Sequence, residues 1–263
     1  MRTLAHISDL HVGKDARSDA AAGALARALA DAGVDDILLT GDVTHRGRAS
    51  ELATFERLFA PLRDRLVTVP GNHDRMGDDA AARLMPGPRV QSELRPDLLV
   101  VRLDSTGPHN RSAMNSHGLL RHGDVAAVLG AVDAAPPRTL VALMLHHHLH
   151  RLPEDHFGER LATLLGWPNA AELDLGRELL DRLHGRCDLV LHGHRHAPSE
   201  LVMLPRCGRT LHVLNAGATS ELRRVRVITH AAGRIVAERW LDVAVPSRVA
   251  PAATPATPSP VAA

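Results

Sequence analysis

The stretch Leu189-Val190-Leu191-His192-Gly193-His194-Arg195-His196 is a short apolar run that ends in a turn and puts out histidines two residues apart. A run of that length, closed by a glycine, reads as a buried strand. Four other stretches share its build: Ile7-Ser8-Asp9-Leu10-His11, Leu38-Leu39-Thr40-Gly41-Asp42, Val69-Pro70-Gly71-Asn72-His73-Asp74 and Leu143-Met144-Leu145-His146. Each is hydrophobic and closes on Asp, Asn or His. Strand ends that all carry oxygen or imidazole groups point to one site assembled at one edge of a sheet.

The segments between them support that reading. Residues 3–7, 36–40 and 66–69 read as strands. An Ala-rich helix over 18–32, with Leu25 and Leu29 on one face, separates the first two. A helix that Ser50 can cap, with Leu52, Phe55, Leu58, Phe59 and Leu62 in a stripe, separates the second and third. Alternating strand and helix predicts a parallel β-α-β-α-β start. In such sheets ligands gather outside the carboxyl ends of the strands, which is where the Asp, Asn and His residues fall. Further on, 78–85 reads as a short helix, 89–94 and 98–103 as paired strands, and 104–123 as a polar loop. Helices are expected near 125–132 and over 171–184, with Gly185 closing the latter, and a central strand over 140–145. Residues 147–168 form a long excursion with some helical spacing. Two hairpins, 200–204 with 210–214 and 225–229 with 234–240, either form a second sheet or extend the first.

Composition sets limits. The chain has 263 residues, Lys+Arg 31 against Asp+Glu 30, and a net charge of +1, so no broad basic field invites long nucleic acid. Two cysteines, Cys187 and Cys207, are too few for a disulfide framework and are expected reduced. Met1-Arg2-Thr3-Leu4 enters a strand at once, without the pattern of a signal peptide, and no apolar run is long enough to span a bilayer. The expected location is the cytoplasm, with a homodimer left open. A single domain over 1–245 is expected, followed by a Pro/Ala/Thr-rich tail over 246–263 that should be disordered. The outlying number is His 18 beside Tyr 0, the imbalance a metal site produces.

The donor set is specific. Asp, Asn and His without Cys suit Mn, Fe, Zn or Co better than a thiolate structural zinc site. Asp9, His11, Asp42, Asn72, His146, His194 and His196 are too many for one ion and suit two ions sharing a carboxylate. Gly41, Gly71 and Gly193 each precede one of these residues, where tight turns and close approach are needed. A pair of divalent ions favours a phosphate anion and clamps the attacking and leaving oxygens of an in-line displacement.

These blocks, in this order over residues 3–197, closely resemble the calcineurin-like metallophosphoesterases. The resemblance implies a four-layer sandwich of two mixed sheets flanked by helices, with two metal ions at one sheet edge. One ion would be held by Asp9, His11, Asp42 and His196, and the other by Asp42, Asn72, His146 and His194. His147 is the second choice in place of His146. His73 would stand beside the scissile phosphate and assist the leaving group, with Asp74 holding its ring. The chain is similar in size and motif to bacterial cyclic nucleotide and glycerophosphodiester phosphodiesterases. That implies hydrolysis of a small phosphodiester by a metal-bridging hydroxide. A phosphomonoesterase or a nucleotide or lipid-precursor pyrophosphohydrolase would use the same motifs. A binding scaffold would show a missing ligand or a replaced His73, and shows neither.

Plainer readings compete at each position. A lone Asp or Asn at a strand end is usually a turn former or helix cap; only the conjunction with the histidines outweighs it. His6 and His192, inside strands, read as core histidines. His45 and Arg46 follow Gly41-Asp42 and read equally as substrate contacts or as a solvated loop. Asn115, His117, His148, His150 and His156 read as surface. Phe157 and Trp167 read as a lid, a dimer contact or a small local core.

Overall fold

The computed structural model describes residues 1–112, 114–151, 172–205 and 207–244. Its strands are β1 (Arg2–Ile7), β2 (Asp36–Thr40), β3 (Leu66–Val69), β4 (Val90–Arg95), β5 (Leu98–Leu103), β6 (Leu140–Met144), β7 (Leu189–His192), β8 (Ser199–Met203), β9 (Leu211–Asn215), β10 (Arg224–Ala231) and β11 (Arg234–Asp242). They form two sheets, ordered β11-β10-β1-β2-β3 and β4-β5-β6-β7-β9-β8. The helices are α1 (Ala16–Asp31), α2 (Ala49–Leu58), α3 (Ala80–Leu84), α4 (His122–Asp133), α5 (Gly176–Leu183) and α6 (Thr219–Leu222).

Alternation along the strands builds the layers. In β2, Leu38 packs with Leu4, Val67 and Val69 against Leu98, Val100, Leu140, Ala142 and Leu191 of the other sheet. Its neighbours Ile37 and Leu39 face the other way, onto Leu25 and Leu29 of α1 and Leu52 and Phe55 of α2. In the second sheet Val141, Leu143 and Val190 turn outward onto Val125, Val128 and Leu129 of α4 and Leu179 and Leu183 of α5. Period-two strands buried on both faces therefore give the four-layer α-β-β-α order that the family resemblance implies. Leu38→Ala would cost about 2–5 kcal/mol through the cavity it leaves between the sheets.

β1, β2 and β3 run parallel, as do β5, β6, β7 and β9. The last two hairpins divide between the sheets. β8 and β9 pair antiparallel in the second, while β10 and β11 join the first through β1. Local details also differ from expectation. The N-cap of α2 is Arg48, with Ser50 inside the first turn, because Glu51 takes the N–H groups of Arg46 and Arg48 at 2.8 and 3.3 Å. The expected helix over 171–184 begins at Gly176.

Residues 156, 157 and 167, most of the 147–168 excursion and the 246–263 tail lie outside the described residues. Among the described residues, no helix is long and apolar enough to cross a membrane.

Candidate metal centre

The carboxyl ends of β1, β2, β3, β6 and β7 meet at one edge of the sandwich. Backbone bonds lock the loops that follow them: Asp9 N–H to Gly41 O and His11 N–H to Asp42 O, both 3.0 Å, and Gly193 N–H to His146 O at 3.1 Å. The last of these joins loops of the second sheet. The two sheets are tied by the His146 ring, whose Nδ1 donates to Thr40 O at 2.7 Å.

The chain reaches this arrangement through unfavourable backbone. Asp9, His11, Asp42, His194 and His196 all have positive φ, between 47° and 72°. Non-glycine residues seldom adopt that region, and such strain gathers where function holds it. Glycines clear the space. A Cβ on Gly71 would fall 2.2 Å from Asp42 Oδ1, and one on Gly193 would fall 1.9 Å from Ser8 Oγ and 2.4 Å from Asp9 Oδ2.

The seven predicted metal-ligating residues and His73 converge. Asp9, His11, Asp42 and His196 present ligand atoms within 4.8 Å of one another. His11 Nε2 is 3.1 Å from His196 Nε2 and 3.8 Å from Asp42 Oδ2. On the other side of Asp42, His146 Nε2 is 3.4 Å from the same Oδ2 and 3.2 Å from Asn72 Oδ1. His194 Nδ1 is 3.1 Å from that Asn72 oxygen. His73 donates its backbone N–H to Asp42 Oδ1 at 2.9 Å.

The electrostatics show what this cluster wants. Burial pulls the His146 ring down, but Asp42, Asp9 and the Thr40 carbonyl together lift it to about 9. Burial opposes the Asp42 charge, yet His146, His73 and His11 hold its carboxyl well below the usual range. The Asp9 carboxylate beside it raises His196 against its burial, while burial lowers His11 to about 4. Two fully buried carboxylates thus draw positive charge to one spot. Asp9 Oδ1 is buried without a hydrogen-bond partner, with His196 Nε2 3.4 Å away. An orphaned carboxylate oxygen, facing imidazole nitrogens and a carboxamide oxygen with no thiolate, fits divalent ions on both sides of Asp42.

The three adjacent histidines separate cleanly. His146 has its Nε2 toward Asn72 and Asp42. His147 spends both ring nitrogens, Nδ1 with Ser105 Oγ and Nε2 on Ser116 O, each at 2.9 Å. His148, expected at the surface, is buried, its ring 6.0 Å from that of His194. His6 is the core histidine expected, bonded to Thr40 Oγ1 at 3.1 Å.

Asp74 differs from the expectation. Its carboxylate takes the N–H groups of Gly71 at 2.9 Å, Val43 at 3.2 Å and Thr44 at 2.8 Å, and the Thr44 hydroxyl at 2.7 Å. The His73 ring is held instead by the His45 carbonyl, 2.7 Å from its Nδ1. Asp74 acts on that ring through the Thr44–His45 backbone.

Sequence reading passed over three supports. Ser105 Oγ accepts the N–H groups of His146 and His147, both at 3.2 Å. Thr219 Oγ1 accepts the Ser8 N–H at 2.9 Å. Asn215 holds the glycine turn of the 192–196 loop by donating to Gly193 O at 2.9 Å. Ser105 and Asn215 each sit at or just past the end of a strand, the signal that marked the ligands themselves.

The model of the calcineurin-like phosphoesterase family matches residues 2–198. The chain belongs to this family. It is a family of metal-dependent phosphoesterases, and the Asp/His groups described here suit its dimetal chemistry. A 48-residue segment is 33% identical to a probable cyclic nucleotide phosphodiesterase of Vesicomyosocius okutanii subsp. Calyptogena okutanii (strain HA), covering 18% of this chain and 21% of that protein. The chain therefore matches about a fifth of that curated relative's length. A dimetal phosphatase from Danio rerio superposes with a TM-score of 0.60 at 11% identity, over 92% of this chain and 99% of that one. Purple acid phosphatase from yellow lupin (Lupinus luteus) seeds gives 0.58 at 11% identity, over 92% of this chain and 53% of its own. At that identity the likeness concerns the fold, and it bears out the two-sheet α/β architecture.

Proposed function

We propose that this protein is a two-metal phosphodiesterase acting on small diesters of the cyclic nucleotide or glycerophosphodiester type. One ion would be held by Asp9, His11, Asp42 and His196, the other by Asp42, Asn72, His146 and His194. When bound, the ions supply Lewis-acid polarisation of the phosphoryl oxygens and an acidified water. The observation that carries the reading is the placement of one carboxylate oxygen, Asp42 Oδ2, between His11 Nε2 at 3.8 Å and His146 Nε2 at 3.4 Å.

The chain's own residues have distinct tasks. The His73 backbone N–H fixes one oxygen of Asp42 and leaves the other free to face both imidazoles. The Thr40 carbonyl sets the tautomer of His146, keeping its Nε2 toward the centre. The His73 ring has Nδ1 committed to His45 O, so Nε2 is the nitrogen that would serve substrate. Protonated there, it gives a proton to the departing alkoxide. The local match to a probable cyclic nucleotide phosphodiesterase supports a diester over the other esters.

The test is hydrolysis of a panel of monoesters, linear diesters, cyclic nucleotides and a nucleotide pyrophosphate with Mn²⁺ supplied. Diesters should be turned over with the highest kcat/KM. A preference for monoesters or pyrophosphates would overturn the substrate class. Metal-loaded protein inert towards every member would overturn the enzymatic reading.

A further inference from the structure

The loop over 41–48 carries an imidazole, His45, that the sequence leaves between a substrate contact and a solvated loop and to which the metal assignment gives no role. His45 is half-buried, and its Nδ1 is buried with no hydrogen-bond partner. Its ring stacks near-parallel to that of His73, 5.6 Å between centroids at 27°, and lies 5.9 Å from that of His11. Ring nitrogens of His11, His45 and His73 converge within 4.8 Å of one another.

This is not the behaviour of a solvated loop, because the backbone around His45 is tied down. Its N–H donates to Val12 O at 3.0 Å and its carbonyl takes the His73 ring. Thr44 is pinned by Asp74, the Arg46 N–H goes to Glu51 Oε2 at 2.8 Å, and the Gly47 N–H goes to Thr44 Oγ1 at 3.1 Å. Gly47 has φ +65°, and a Cβ there would fall 2.2 Å from Met76 O. The ring is thus presented by a fixed scaffold, as a preorganised binding group would be.

Three uses compete for it. As packing for His73, the ring would need no nitrogen facing the cluster, and its buried unpaired Nδ1 would be a cost without return. As an ion ligand, it belongs to a group with no carboxylate that shares His11 with the Asp9–Asp42 group. A neutral imidazole has a single free lone pair, and the carboxylate-bearing group holds the stronger claim on it. The remaining use is a polar contact to something that enters beside His73. In the phosphoester reading, that is the substrate's phosphoryl group.

Building on that reading, we infer that a ring N–H of His45 donates a hydrogen bond to a phosphoryl oxygen of bound substrate, next to His73. His45 is then a substrate-binding residue of the catalytic centre, and the ligand it recognises is a phosphate oxygen rather than the leaving group.

The experiment reads phosphate binding directly. Inorganic phosphate is titrated calorimetrically into the full-length Mn²⁺-loaded protein, and into His45→Phe and His45→Ala, with metal content measured on each. His45→Phe keeps a ring against His73 and keeps the backbone carbonyl, and loses only the nitrogens. Both variants should weaken phosphate binding by about tenfold or more, with full metal content and a KM for the best ester raised more than kcat falls. His45→Phe with wild-type phosphate affinity overturns the inference and makes the ring packing alone. Loss of metal in either variant overturns it in favour of an ion ligand. Wild-type protein that binds no phosphate with its metals in place also overturns it. Phosphate binding that depends on His45, in a protein that prefers an ester other than a diester, would sink the substrate class proposed above and leave this inference standing.

Discussion

Asp74 Oδ1 accepts both the backbone N–H and the hydroxyl of Thr44, at 2.8 and 2.7 Å. The other oxygen takes the N–H groups of Gly71 and Val43. One buried carboxylate thus ties the loop after β2 to the turn after β3. Its burial and the nearby Asp42 charge push its carboxyl up to about 6, against hydrogen bonds that pull it down.

Removing that tie should be felt first in stability. Asp74→Ala leaves three buried N–H groups and a hydroxyl without their acceptor, and each unsatisfied group costs about 1–3 kcal/mol before relaxation. Relaxation and entering water recover part of this, so a loss on the order of 3 kcal/mol is expected in urea unfolding. Turnover should fall in parallel, because the loop carries the carbonyl that orients His73. Asp74→Asn should be intermediate, since an amide offers one acceptor oxygen in place of two. An unchanged unfolding midpoint with only kcat reduced would return Asp74 to the simpler role of orienting the His73 ring.

Metal content should split between the two groups in a way that reflects Asp42. Elemental analysis of the loaded wild-type protein should give two divalent ions per chain, a stoichiometry that follows from the shared carboxylate. Asp42→Ala should reduce occupancy on both sides, whereas Asn72→Ala should weaken mainly the His146–His194 side. A saturated wild-type stoichiometry of one would sink the dinuclear reading. Loss of both ions in Asn72→Ala would show that the two groups do not act separately.

Much of this site could be read from the chain because its residues interrupt otherwise apolar runs. Asp9, Asp42, Asn72, His146 and His194 each follow a strand whose side chains are buried on both faces, so a polar residue there needs a reason. His146 and His147 could not be separated that way, since both follow the same strand. What separates them is Ser105 and Ser116, some forty and thirty residues away. The Asp74–Thr44 tie and the His45–His73 bond were hidden for the same cause: they are contacts between loops of different strands, and spacing along the chain carries no trace of them. The allotment of the last two hairpins to different sheets is likewise a matter of edge pairing. Either edge would have satisfied their alternation, and only β1 with β10 and β7 with β9 decide it.

The two cysteines should differ sharply towards alkylation. Cys187 is fully buried, and burial with the neighbouring Asp188 pushes its thiol up to about 12, while Cys207 is exposed. The thiolate is the reactive form, and its fraction at Cys187 grows only as pH approaches 12. At pH 8 the native protein should therefore take up one equivalent of iodoacetamide, at Cys207, and the urea-denatured protein two. Mass spectrometry of the labelled peptides checks this. Rapid native labelling of Cys187 at pH 8 would mean that the β6–β7 core opens far more readily than its packing allows.

The last expectation concerns His73. Its ring sits between two fixed neighbours: Nδ1 is held by the His45 carbonyl, and Nε2 lies 4.0 Å from Asp42 Oδ2. With Nδ1 spent, Nε2 can donate to substrate only in the protonated ring. Such a group should matter most where the departing oxygen needs a proton. General-acid assistance is worth on the order of 10²–10⁴ in rate. His73→Ala should keep the fold and the metal content, because its backbone N–H still reaches Asp42 and the ring is assigned to neither ion. It should lose turnover of an alkyl or ribose diester by about that factor, and much less for a nitrophenyl ester, whose leaving group departs without protonation. Parallel rate constants for the two esters, measured with metal content on the same samples, decide the role. Metal lost in step with activity would make His73 a ligand. An equal loss for both esters would make it a group that grips the phosphate rather than the acid that releases the alcohol.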